Sequence, residues 1–149
     1  MNMLLMLIVS VSPFAFGFAL NKAMMTFDLY GNATLLLSLL FAVYWTYAGY
    51  KSYEITGSAK SSVIAAHSFA FLSIGSVFFQ LLVYGRYAFG WLGTLPQFFY
   101  LPMVRLTAIV QINLMFFVRT HYTTVTYVLS LLLMIAFYYA GYVMRQKRV

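Results

Sequence analysis

Residues 85–105 read GRYAFGWLGTLPQFFYLPMVR. How this stretch is taken decides how many times the chain crosses a membrane. It is apolar and aromatic, yet Gly90, Gly93, Pro96 and Pro102 interrupt it. A clean crossing helix needs about 20 predominantly apolar residues. The stretch therefore reads as an interfacial or re-entrant segment over 86–101, followed by a helix that starts near Pro102. Both ends of such a segment stay on one side of the bilayer.

The flanking sequence is easier. Of the 149 residues, 64% are hydrophobic and 7% charged, and mean hydropathy is +0.88. A soluble domain carries about 25% charged residues. Long apolar runs in lipid must be helices or closed barrels, because lipid offers the backbone no hydrogen bonds. The runs here are continuous rather than alternating, which favours helices over barrel strands. The expected fold is all-α: a single integral membrane domain over 1–149 with five spans, at about 3–20, 33–50, 63–84, 102–118 and 124–143. Residues 21–30 and 51–62 read as loops, and 119–123 as a tight hairpin. Pro13 should kink the first span by freeing the carbonyl of Val9. Tyr44, Trp45, Tyr47, Tyr50 and Tyr53 read as an aromatic belt at headgroup level.

With five spans, Lys22, Arg86, Arg105, Arg145, Lys147 and Arg148 share one face, against Lys51, Lys60 and Arg119 on the other. Basic residues collect on the cytoplasmic side. The expected setting is a bacterial cytoplasmic membrane, with the N-terminus outside and the C-terminus inside. The same rule accounts for the net charge of +7 without nucleic acid as a partner. Asn32-Ala33-Thr34 matches a glycosylation sequon but falls at the cytoplasmic edge, so the match is read as chance.

Arg105 is the most informative side chain. If Pro102 is the first helical residue, a position proline favours, Arg105 snorkels to the headgroups. If the helix starts at Thr94-Leu95-Pro96-Gln97 with a capping box, Arg105 lies near mid-membrane and needs a partner, and Asp28 is the acidic residue on its face. The first reading is favoured. Gln80, Gln111 and Asn113 are read as buried polar groups that hydrogen-bond neighbouring helices. Ala66, Ala70, Ser73, Val77 and Gln80 form one stripe at helical spacing that suits close packing, with a solute path as the alternative. Ala136 and Ala140 suggest a second close contact.

His67, His121 and Glu54 should lie near the outer face, where two histidines and a carboxylate could form a pH-sensitive or metal-ligating set. Their spacing matches no ligand motif, so interfacial histidines without a special role are the favoured reading. No catalytic constellation, Walker-type loop or cofactor motif is present, and there is no cysteine. Asp28 and Glu54, the two acidic residues, should face opposite sides of the bilayer.

In length and span count the chain resembles the translocator/tryptophan-rich sensory family. That family is rich in tryptophan, whereas Trp45 and Trp91 are the two tryptophans here, and none of its motifs appears. The likeness assigns no residue a role. The functional expectation is a non-catalytic accessory or interaction subunit of a membrane complex, partnered by lipid and by a membrane protein or further copies of itself. A small transporter or channel subunit is the alternative, and a membrane-embedded enzyme the third.

Overall fold

The computed structural model describes residues 2–86, 90–114 and 122–148. These form six helices and, among the described residues, no strand: α1 (Asn2–Phe27), α2 (Asn32–Thr56), α3 (Ala59–Ala66), α4 (Ser68–Tyr84), α5 (Trp91–Leu114) and α6 (Tyr122–Gln146). The all-helical architecture is as expected. Five spans are not confirmed. Three helices (α1, α2 and α6) are long and apolar enough to cross a membrane, and α3 with α4 would make a fourth if their 54° bend is taken as a break within one span.

The expected loops are largely helical. α1 continues to Phe27, and α2 runs on to Thr56, where Gly57 closes it. Gly57 has φ 60° and donates its N–H to the Tyr53 carbonyl at 3.4 Å, a left-handed cap that glycine adopts without steric cost. Pro13 lies within α1. It has no N–H for the Val9 carbonyl, and Ser12 Oγ bonds that oxygen instead at 2.8 Å.

The stretch at 85–105 is the main departure. α5 begins at Trp91, before either expected start, so both Pro96 and Pro102 lie inside it. Residues 91–101 are thus the first half of a helix rather than a separate interfacial segment. Pro102 releases the carbonyl of Phe98. That carbonyl is also where α1 comes closest: a Cβ on Gly17 would collide with it. Proline in one helix and glycine in the other make the α1–α5 contact close at the same point.

Neighbouring side chains give the helix directions. Phe14 meets Phe98, and further along Leu20 and Met24 share a cavity with Leu101, Arg105 and Ala108, so α1 and α5 run the same way. Trp45 meets Tyr138, Tyr53 meets Tyr142 and Glu54 meets Arg145, so α2 and α6 also run the same way. α1 and α2 form an antiparallel hairpin, with Ser12 near Tyr44 and Phe16 near Phe41. The C-terminal ends of α2 and α6 therefore lie together. Strict alternation over five spans would place them at opposite faces.

α2 and α6 form the tightest seam. A Cβ on Gly49 would strike the Tyr138 carbonyl, and one on Gly141 the Thr46 carbonyl. Ala136 and Ala140, the expected small-residue contact, are exposed instead. The stripe Ala66, Ala70, Ser73, Val77 and Gln80 is buried throughout.

Candidate functional site

The buried polar groups gather where α3 gives way to α4. Neither proline nor glycine interrupts the helix there. Instead, two side chains bond back onto its carbonyls. His67 Nδ1 lies 2.9 Å from the Val63 carbonyl, and Ser68 Oγ donates to the Ala65 carbonyl at 3.0 Å. A side chain inserted into the backbone ladder is a recognised cause of a sharp bend.

The bend carries His67 into the core, where it is fully buried. This corrects the interfacial placement. Trp45 donates its indole N–H to His67 Nε2 at 3.3 Å. With Nδ1 serving as donor to Val63, the ring is the neutral tautomer, an assignment made from its partners. Tyr138 meets the His67 ring edge-on at 5.3 Å, and Phe41 stacks on Trp45 at 5.8 Å. Trp45 is thus a core residue and not part of a headgroup belt.

A chain of hydroxyls continues from this cluster. Ser62 donates to Ser52 at 2.8 Å, and Ser52 donates to the Gly49 carbonyl at 2.7 Å. The one proton of Ser62 is then committed, so Tyr138, 2.8 Å from Ser62 Oγ, must be the donor in that bond. The relay runs Tyr138 to Ser62 to Ser52 to Gly49 and ties α2, α3 and α6 together. Each hydroxyl proton is used in a contact within or between helices.

A second polar seam joins α5 and α6. Thr107 and Ser130 hydroxyls lie 2.8 Å apart, and Thr126 donates to Gln111 Oε1 at 2.7 Å. Tyr100 donates to the Ala70 carbonyl at 2.8 Å, linking α5 to α4. Gln80 is buried on α4.

Glu54 is not near His67 in this arrangement. It lies at the C-terminal end of α2, paired with Arg145 at 2.8 Å and Lys51 at 3.8 Å. His121 lies outside the described residues, as does the side chain of Asn113. Among the described residues, no three His, Cys, Asp or Glu side chains cluster in a way that could hold a metal ion.

Arg105 is about 21 Å from Trp91 along α5 at about 1.5 Å per residue. It is exposed, beside a cavity of about 190 Å³ also lined by Leu20, Met24, Thr34 and Ser38. Met24 and Thr34 flank the turn between α1 and α2, so Arg105 lies toward that end of the bundle. Asp28, in the turn with φ 48°, makes no ion pair with it.

No family model, curated protein or solved structure matches the chain. Trp45, Gly49, Ser52, Ser62, Tyr138 and Gly141 were not singled out for these roles from sequence. Their signal was present: Phe41, Trp45, Gly49 and Ser52 recur at helical spacing along α2.

Proposed function

We propose that the chain is a non-catalytic accessory subunit of a membrane complex, with an even number of crossings and both ends on the cytoplasmic face. The topology is supported by helix direction. α2 and α6 run the same way, so one net crossing in the opposite sense lies between them, within 59–114. Lys51, Lys60, Arg145, Lys147 and Arg148 lie at the end where α2 and α6 finish. Lys22 and Arg105 lie toward the α1–α2 turn. Among these seven, five against two supports the first end as cytoplasmic.

The observation that carries the accessory reading is the exposure of α1. In its most apolar stretch 22% of residues are buried, against 39% for both α2 and α6. Leu4, Leu7, Ile8 and Val11 all face outward. Most buried hydroxyls among the described residues, meanwhile, bond within or between helices, Ser73 Oγ being an exception. α1 is therefore the face best suited to a protein neighbour.

Photo-crosslinkers placed at Leu7 and Val11 in native membranes test this. The expected result is one discrete protein adduct from α1 positions that is absent from Leu82 on α4. Adducts with lipid alone, from all three positions, would contradict it. The transporter reading keeps one specific support, the α3–α4 break at buried His67, since broken membrane helices often form solute sites. Solute flux through liposomes holding the purified chain alone would favour that reading.

A further inference from the structure

We propose that the groove between α2 and α6 seats one acyl chain of an anionic phospholipid, with its phosphate held at Arg145, Arg148 and Tyr50. The inference rests on the proposed placement of this end of the bundle at a bilayer face.

The groove has a volume of about 410 Å³ and is lined by Leu39, Val43 and Tyr50 of α2 and by Phe137, Gly141 and Met144 of α6, among others. From Leu39 to Tyr50 it follows α2 for about 16 Å at about 1.5 Å per residue. The hydrocarbon core of a bilayer is about 30 Å thick, so the groove is one leaflet deep. Its walls suit an acyl chain. The only hydroxyl on the wall below Tyr47, that of Thr46, bonds the Ala42 carbonyl of its own helix at 2.8 Å.

The groove ends at a cationic site. Arg145 donates to the Tyr50 hydroxyl at 3.0 Å and lies 5.2 Å over the Tyr50 ring. Phe137, Gly141 and Met144 follow helical spacing on α6, and Arg148 comes in the turn just past its end, its N–H donating to the Arg145 carbonyl at 3.0 Å. Arg148 also interacts with the Tyr50 hydroxyl. Lys51 pairs with Glu54 beside the site, Lys147 follows α6 directly, and among the described residues Glu54 is the one carboxylate paired there. Four cations against one carboxylate leave an excess of positive charge. Arginine forks suit phosphate geometry, and each basic residue near an anionic leaflet contributes about 1 kcal/mol. Basic residues alone would gather anionic lipid diffusely. The one-leaflet groove beneath them would fix a single molecule.

The test uses the full chain in nanodiscs of equimolar phosphatidylglycerol and phosphatidylcholine, followed by native mass spectrometry after mild detergent release. One phosphatidylglycerol should be retained per chain in preference to phosphatidylcholine. Arg148→Gln should lower that retention about fivefold, the equivalent of one charge contact. Val43→Trp, at an exposed position on the groove wall, should lower it by obstructing the chain without altering charge. Circular dichroism melting checks that both variants fold. Equal retention of the two lipids by the unaltered chain overturns the proposal whatever the variants do. So does retention untouched by Val43→Trp in a folded variant, which would indicate diffuse attraction. Opposite-face labelling of the C-terminal ends of α2 and α6 would instead refute the topology, so the two failures are separable.

Discussion

The α2–α6 seam and the α1 helix are built from the same kinds of residue but held in very different ways. The seam has two glycines that bring the backbones together, Gly49 and Gly141. Above them it has the Tyr138–Ser62–Ser52 relay and the Arg145–Glu54 pair. α1 has one glycine contact of this kind, Gly17 against the Phe98 carbonyl, and much of its surface is open. Aqueous burial contributes little between helices already in lipid, so close packing and hydrogen bonds decide which contacts hold. α2 and α6 form the frame, and α1 is attached to it.

The sharpest way to break this contrast is Gly141→Leu. Its side chain must displace the Thr46 carbonyl, a backbone atom that cannot swing aside. The expected cost is about 3 kcal/mol or more, at the upper end for overpacking, read as a lowered unfolding midpoint in detergent. Gly17→Leu should cost less, about 2 kcal/mol, and its effect should be local. Hydrogen exchange should quicken across 5–20 and stay unchanged across 41–53 and 130–142. Loss of protection in all three regions would make α1 part of the frame. The smallest effect is expected from Tyr138→Phe, which removes one donor and leaves Ser62 still bonded to Ser52. It should cost about 1 kcal/mol, measured by the same unfolding midpoint.

The helices themselves were legible because apolar length marks them directly. α1, α2 and α6 overlap the stretches expected from composition. Their faces were harder to read. In a soluble helix the buried side is apolar and the other polar, but here Leu7 faces outward and Phe41 inward with no contrast in residue type. Trp45 and Tyr53 look alike as belt aromatics, yet Trp45 is buried against His67. The α3–α4 bend was invisible because no proline or glycine marks it. It arises from His67 and Ser68 bonding back to carbonyls, and both residues also occur in straight helices. Pro96 and Pro102 misled in the opposite direction. Read as helix boundaries, they lie inside α5, where the carbonyl freed by Pro102 faces Gly17. That shift of a helix start, together with the parallel course of α2 and α6, is what sets the observed helix directions apart from the alternation expected for five spans.

Direction is therefore the central claim, and a chain without cysteine is well suited to testing it. Ser58→Cys marks the end of α2, Gln146→Cys the end of α6, and Asp28→Cys the α1–α2 turn. Each single variant is treated in sealed, oriented vesicles with a membrane-impermeant maleimide. Ser58→Cys and Gln146→Cys should react from the same side and Asp28→Cys from the other. Labelling of Ser58→Cys and Gln146→Cys from opposite sides would contradict the account.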